Sequence, residues 1–399
     1  MKLEEKKLPN GWEMKKFEDL LDYIQPTKYI VDSTEYSDEY KTPVLTAGKS
    51  FVIGYTNEKQ GIFNQLPVII FDDFTTANKF VKFPFKVKSS AMKILKPKDS
   101  SVNIEFVFYY MQTVRITFDT HKRYWISTYS KLPVPIPPKD EQQAIVAKIE
   151  ELFSELENGK KELLTAQDKL KTYRQSLLKW AFEGRLTNEN LKYGELPKGW
   201  EVIKVFELGE ISTGSTPSKS NPAFYSNKFP FYKPTDLEAG YNVRESSDNL
   251  SELGIKEARF LPSNSILVTC IGATIGKIGI IRREGASNQQ INAIIPSKNF
   301  DPNFIYYQAI APKFQNAIIE NYSQTTLPIL NKSKFQNLEM YTCSLLEQQK
   351  IVAILESKLT ICDAIEETIK TSINKCETLR QSILQKAFLG ELINKKNVT

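Results

Sequence analysis

EQQAIVAKIEELFSELENGKKELLTAQDKLKTYRQSLLKWAFEG, residues 141–184, returns 206 positions later (141 to 347) as EQQKIVAILESKLTICDAIEETIKTSINKCETLRQSILQKAFLG, residues 347–390, with no insertion or deletion. Both copies open on Glu-Gln-Gln followed by Ile-Val-Ala, carry Arg-Gln-Ser at Arg174 and Arg380, and close on Ala-Phe-x-Gly at Gly184 and Gly390. Identical landmarks at equal spacing mark an internal duplication. In the first copy Ile145, Ile149, Leu152, Leu156, Gly159, Leu163, Ala166, Leu170, Tyr173 and Leu177 recur at alternating steps of four and three, the heptad seam of a coiled coil. The second copy gives Ile351, Leu355, Lys358, Cys362, Ile365, Ile369, Ser372, Cys376, Leu379 and Ile383, with Lys358 and Ser372 its weak points. Asp140, with Gln143 three positions on, and Ser344, three before Glu347, have the spacing of capping boxes, and the two glycines suit helix C′ positions. Each copy is therefore expected to form one rod of roughly 60 Å at about 1.5 Å per residue. A rod with one apolar stripe needs a partner, and its own copy is the nearest.

The duplication extends outward. Leu8-Pro-Asn-Gly-Trp12-Glu13 returns as Leu196-Pro-Lys-Gly-Trp200-Glu201. Fainter echoes join Val68-Ile-Ile to Ile266-Leu-Val and Phe106-Val-Phe-Tyr109 to Phe304-Ile-Tyr-Tyr307. Each half is thus an opening motif, a variable globular part with short β-branched strands, and a long helix. The expected fold is α+β: two mixed domains with twisted sheets, separated by two long antiparallel helices in a pseudo-two-fold repeat. The expected divisions are residues 1–140 for the first head, 141–190 for the first helix, 191–346 for the second head and 347–399 for the second helix. Antiparallel pairing also brings Met1 and Thr399 to the same end of the rod.

Composition narrows the function classes. The chain has 399 residues, 41% hydrophobic and 25% charged, an ordinary balance for a soluble globular protein of two or three domains. Its start lacks the apolar core of a signal peptide and no apolar run reaches membrane-span length, so a cytoplasmic location is expected. Cys270, Cys343, Cys362 and Cys376 lack CxxC spacing and are expected as buried thiols. His121 is the only histidine, which argues against His-rich metal sites and most Ser-His or Cys-His mechanisms. A net charge of +6 suits a polyanion.

A rigid spacer between two similar heads suits duplex DNA, whose groove presents equivalent surfaces at a fixed helical phase. In the first head the segment from Lys79 to Lys98 holds Lys79, Lys82, Lys86, Lys88, Lys93, Lys96 and Lys98 with no acidic residue, interleaved with Phe80, Phe83 and Phe85. Strand alternation puts these lysines on a solvent face, either as phosphate contacts or as ordinary solvated positions. His121-Lys122-Arg123-Tyr124-Trp125 is a second basic and aromatic cluster. Base readout needs amides for adenine and cations for guanine. Candidates in the second head are Asn288, Gln289 and Gln290, the loop with Thr213, Ser215, Thr216, Ser218 and Lys219, the Gly272–Lys277 loop with Thr274 and Lys277, and Lys233 and Gln324. The first head offers Thr46, Lys49 and Ser50, the segment with Thr75, Thr76, Asn78 and Lys79, and Lys88, Arg123 and Tyr124. An ordinary surface turn explains any one of these taken alone.

The catalytic motifs fail. Gly272–Lys277 is one residue short of a P-loop and has Ile278 where Ser or Thr should hold magnesium. Asn221-Pro-Ala-Phe224 has Ala where amino-methyltransferases have a second proline, and no glycine-rich methyl-donor loop precedes it. No nuclease carboxylate cluster is evident. The chain is read as a non-enzyme that recognises without reacting and holds no cofactor or metal.

The duplicated Glu-Gln-Gln helices, the Leu-Pro-x-Gly-Trp openings, Pro137-Pro138 before the first helix and the Thr213–Pro217 and Asn288–Gln290 stretches together resemble the specificity subunit of Type I restriction-modification systems. Cys343-Ser-Leu-Leu departs from the Leu132–Pro138 pattern, which leaves the direction of the second helix less determined. The resemblance implies that each head reads one half of a bipartite double-stranded DNA target. It implies two modification subunits, which make the adenine methyltransferase with their own S-adenosylmethionine, and a restriction subunit using ATP. The rod then sets the unread gap, at most about 18 base pairs for roughly 60 Å. Apolar residues off the seam either bury against the heads or meet partners, and Phe153, Trp180, Phe182 and Phe388 are the partner-binding candidates. Two other readings stay open: a scaffold with two clamps for nucleic acid or protein and no sequence reading, and a stand-alone methyltransferase or endonuclease with unrecognised motifs.

Overall fold

The computed structural model describes residues 8–48, 50–116, 123–188, 190–192, 194–323 and 327–393. Each copied stretch forms one helix, Lys139–Phe182 and Leu345–Phe388, each of 44 residues. The chain divides into two compact units, 1–163 with 370–399 and 164–369, so each unit takes one globular head and half of each long helix.

The heads share one strand plan. In the first unit β1 (Glu13–Lys16), β2 (Leu21–Ile24), β3 (Thr42–Leu45), β4 (Val52–Thr56), β5 (Val68–Asp72), β6 (Asn78–Val81), β7 (Lys86–Val87), β8 (Met92–Pro97) and β9 (Pro133–Ile136) build three sheets of order β2-β8-β5-β6, β4-β3-β7 and β1-β9. The second has β10 (Glu201–Lys204), β11 (Gly209–Thr213), β12 (Tyr225–Tyr232), β13 (Asp248–Leu250), β14 (Ile266–Thr269), β15 (Ile278–Ile280), β16 (Ala286–Ser287), β17 (Ile291–Pro296) and β18 (Glu339–Thr342). Their orders are β11-β17-β14-β15, β13-β12-β16 and β10-β18, the first plan with nine added to every strand number. Pairing sense matches as well: β3 runs parallel to β7 and β12 parallel to β16, while the four-stranded sheets are antiparallel throughout.

The Glu-Gln-Gln motif has a packing reason. Gln142, 2% exposed, accepts from Asn103 N (2.8 Å) and donates to Ser101 O (3.1 Å) and Pro137 O (2.9 Å). Gln348, fully buried, accepts from Asp301 N (2.8 Å) and donates to Asn299 O (3.4 Å) and Cys343 O (2.8 Å). Asn103 and Asp301 in turn cap the helices Ile104–Met111 and Pro302–Ile310. A buried amide that spends both its donors and its acceptor on backbone fixes where a long helix leaves its head.

Helix ends match too. Arg185 N donates to Trp180 O and Glu391 N to Lys386 O, both at 2.9 Å, closing Schellman turns on Gly184 (φ 76°) and Gly390 (φ 72°). The prolines of the opening motifs lie over these glycines: an added Cβ would stand 2.2 Å from Pro197 Cγ and 2.5 Å from Pro9 Cγ. The expected capping is borne out at Ser344, whose hydroxyl accepts from Glu347 N (3.3 Å). Asp140, by contrast, lies inside the first turn, because the first helix already begins at Lys139.

Within the first unit Lys160 pairs with Glu377 (2.8 Å) and Arg380 with Glu157 (3.5 Å); within the second Arg174 pairs with Asp363 (2.7 Å) and Glu366 (2.9 Å). In each unit, then, the helices run antiparallel, as the sequence implied. The seam is buried in part: Ile145 and Ile149 are buried in the first unit, and Leu177, Ile351, Leu355, Cys362 and Ile369 in the second. Tyr173, Ile365 and Leu379 are 41%, 44% and 50% exposed, a correction to the expectation of a continuous buried stripe. Two helices alone present too narrow a contact to cover every seam residue once the heads no longer flank them.

All four thiols are free, with Cys270 and Cys362 buried. Among the described residues no helix is long and apolar enough to cross a membrane, and no group of three or more metal-ligating side chains is present. Met1, Thr399, His121 and Lys122 lie outside the described residues.

Candidate nucleic-acid interface

Antiparallel registers set the location of the candidate loops. Thr213 faces Asn292, Thr269 faces Ile291 and Val268 faces Ile278, so the turns after β11, after β14 and before β17 emerge from one end of the four-stranded sheet. Asn299, which binds Gln348, follows the other end of β17. The first head repeats this, with Ile24 facing Ile94, Asp72 facing Met92 and Phe71 facing Asn78. In each unit the candidate loops therefore stand opposite the end that holds the long helix.

The second head brings the Thr213–Pro217 and Asn288–Gln290 stretches together. Ser215 N donates to Ser287 O (2.9 Å), Thr216 Oγ1 donates to Gln289 Oε1, and an added Cβ on Gly214 would stand 2.0 Å from Asn288 O. Only glycine permits that approach. Thr213 donates through its hydroxyl to Asn292 Oδ1 (2.7 Å), Asn288 Nδ2 donates to Gln290 Oε1 (2.9 Å), and Gln290 Nε2 reaches Ile271 O (3.3 Å) at the neighbouring loop. Asn288 and Gln290 thus rivet the loops to each other, while Gln289, Thr216, Ser218, Lys219 and Thr274 are exposed. Ser215 Oγ is buried and has no hydrogen-bond partner among the described residues. Lys277 lies 3.5 Å from Glu238, and Lys233 is ion-paired with Asp248, so both cations are partly neutralised within the head. Burial pushes the Cys270 thiol, beside these loops, up to about 12 against a weaker lowering by Asn292, so it is no nucleophile. Asn221 caps the turn Pro222–Phe224 through Ala223 N (3.1 Å), which gives that tetrapeptide a structural role.

In the first head Thr75, Thr76, Asn78 and Lys79 line a groove of about 460 Å³, floored by Met111 and Tyr129 and flanked by Ala47 and Gly48. The turn is stiff: Asp72 Oδ1 accepts from Phe74 N and Thr75 N, both 2.9 Å, and Thr76 is held at φ 56°, unusual for a β-branched residue. Thr46 closes the adjacent loop onto Ser50 O (3.1 Å) and Gly48 N (3.0 Å), leaving Ser50 exposed. Lys88 is exposed, and its N–H donates to Leu45 O (3.1 Å) as that of Asn288 does to Tyr232 O (3.1 Å), so the two occupy the same place in the two plans. Lys49 and Gln324 lie outside the described residues.

Four expected positions need correction. Tyr124 is 5% exposed, its N–H bound to Asp73 O (2.8 Å), so it belongs to the core beneath exposed Arg123. Phe153 packs against Tyr109 under Arg380, Phe182 against Phe304, and Phe388 against Phe106 and Tyr110. With 7%, 5% and 1% of their surface exposed, these rings are covered within the chain, Phe153 by the first head, Phe182 of the first helix by the second head and Phe388 of the second helix by the first; Trp180 alone of the four is open. The lysine run also departs from simple alternation: Lys86 is buried on Glu58, Lys93 is buried 3.6 Å from Asp73, and Lys82 pairs with Glu105 (2.9 Å). β7 is only two residues long, so the alternation is interrupted before it can sort the lysines to one face.

Sequence reading missed Gln112 and Arg115, which line the same groove. The only signal was an amide and a cation immediately after the apolar helix Ile104–Met111.

A nine-strand plan used twice, with each copied helix locked to its head by an equivalent glutamine, matches a described family. The model of the Type I restriction modification DNA specificity domain covers residues 9–166 and again 197–375. The chain belongs to this family. A specificity subunit of the Type I restriction enzyme EcoR124I/EcoR124II from Escherichia coli is 32% identical over 376 residues, 88% of this chain and 87% of that one. The MjaVIII specificity subunit of Methanocaldococcus jannaschii is 22% identical over 97% of this chain and 94% of its own length. Among solved structures, the HsdS subunit of Thermoanaerobacter tengcongensis shares the fold at TM-score 0.62 and 18% identity, covering 98% of this chain and all of that one. A chain from a structure of a type I R-M system, described with its complex assembly and conformational transition, matches at TM-score 0.70 and 18% identity over 97% of this chain. The resemblance first carried by the duplicated helices is thus borne out over most of the chain.

Proposed function

We propose that this specificity subunit supplies the DNA address of a Type I restriction-modification complex, each head reading one half of a bipartite target and the paired helices setting the unread gap. The observation that carries the reading is the strand plan repeated with unlike loops: after β5 the first head has the turn with Thr75 and Thr76, and after the equivalent β14 the second has the loop with Thr274 and Lys277. Equal frameworks with different donors and acceptors suit two different half-sites. The chain acts as a non-catalytic recognition subunit in the cytoplasm. Two modification subunits and a restriction subunit bring the methyl donor, ATP and base-flipping chemistry. Exposed apolar side chains on both helices in the second unit, Trp180 on the first and Ile361 and Ile365 a turn apart on the second, support a docking place for a modification subunit.

Single-molecule methylation mapping of a host carrying this chain with its modification partner tests the reading. One asymmetric two-part motif with a fixed gap is expected. Methylation without such a motif, or none that depends on this chain, overturns it.

A further inference from the structure

We propose that Gln112 is a specificity-determining residue of the first head and reads an adenine in the major groove. Gln112 Nε2 donates to Asn78 Oδ1 (2.5 Å), and Asn78 Nδ2 donates on to Thr76 O (3.2 Å). That chain of bonds orients the Gln112 amide and occupies one of its N–H groups. Its Oε1 and second N–H have no partner among the described residues, and both belong to a side chain lining the groove of about 460 Å³. An adjacent acceptor and donor on one amide complement the N6 amino group and N7 of adenine.

Two further features make the position a reader rather than a brace. The amide stands on a rigid support: Gln112 caps the helix Ile104–Met111, whose other end is tied through Asn103 to Gln142, and whose Tyr110 hydroxyl donates to Pro133 O (2.9 Å). Readout of a base edge needs such support, because an angstrom of slack forfeits the discrimination. The groove also suits a polyanion: Lys79 and exposed Arg115 line it, and no carboxylate does among the described residues. In the second head the equivalent position, 198 further along by the match of Phe106 to Phe304, is Ile310, packed against the core. The amide is thus peculiar to one head, as a residue that distinguishes half-sites must be.

The proposal rests on the bipartite reading and is tested separately from it. The complex of this chain with its modification subunits is challenged with a random duplex library, and bound sequences are compared for wild type, Gln112→Ala and Gln112→Glu. Gln112→Ala should relax one adenine-bearing position of one half-site roughly tenfold to hundredfold and leave the other positions in place. Gln112→Glu, which can only accept, should turn that position towards cytosine. A consensus unchanged in both variants overturns the assignment, as does loss of the entire half-site, which would mark Gln112 as a structural residue. A wild-type library with no two-part consensus fails the bipartite reading itself.

Discussion

Gln142 and Gln348 occupy the same position of the two repeats and each accepts one backbone N–H and donates to two backbone carbonyls. The equivalence extends to their targets, since Asn103 and Asp301 are both helix caps. Replacing Gln142 by alanine removes three bonds to backbone and leaves the buried Pro137 carbonyl without its partner, a loss of about 1–3 kcal/mol for such a group, with smaller losses at the half-buried Asn103 and exposed Ser101. Gln142→Ala should lower the unfolding free energy by roughly 2 kcal/mol or more and degrade reading by the first head. Gln348→Ala should do the same to the second. Urea denaturation and half-site selection check this; a variant with wild-type stability would show that the clamp is dispensable.

Lys93 offers a second test. Its ammonium is buried on Gln25 Oε1 and 3.6 Å from Asp73 Oδ2, and Asp73 Oδ1 also accepts from Trp125 N (2.8 Å). Lys93→Met leaves Asp73 charged and unpaired in the core, at a cost of about 3–5 kcal/mol. The double variant with Asp73→Asn should recover a large part of that loss. Equal stability of single and double variants, measured by urea unfolding, would rule out the ion pair as the cause.

The long helices, their glycine stops and their antiparallel sense were legible because each follows from a period and a spacing that the sequence repeats. Gln112 was not, because its role depends on where one short helix ends against Asn78, 34 residues away. Nor could the sequence sort Lys86 and Lys93 from Lys88: burial of a cation is decided by a carboxylate or amide arriving from elsewhere, here Glu58, Asp73 and Gln25. Phe153, Phe182 and Phe388 look like surplus apolar surface on a lone helix. Only the heads, folding back with Tyr109, Phe304 and Phe106, show what covers them.

Lys88 is exposed at the first head's loop end, while Asn288 holds the same place in the second. As a phosphate contact, Lys88 adds affinity without sequence information. Lys88→Ala should weaken DNA binding by the assembled complex about equally for cognate and unrelated duplexes and reduce the salt slope by about one. Thermal stability should not change, since the Lys88 side chain is exposed and makes no bond among the described residues. A selective loss for the cognate sequence would instead make Lys88 a base reader.

The spacing role of the helices gives the last prediction. In the first unit Glu157 meets Arg380 and Lys160 meets Glu377; in the second Arg174 meets Asp363, and each pair of numbers sums to the same value, 537. Removing residues 163–169 from one helix and 368–374 from the other therefore removes facing heptads and keeps the antiparallel register. Seven residues span about 10 Å of helix, the rise of about three base pairs, and nearly two full turns, so the remaining seam still faces its partner. Methylation mapping with the shortened chain should return both half-sites unchanged and a gap reduced by about three base pairs. Were the half-sites to persist at the original gap, the helices would be a dock for partners and not a ruler, and the spacing would have to be set by the heads themselves.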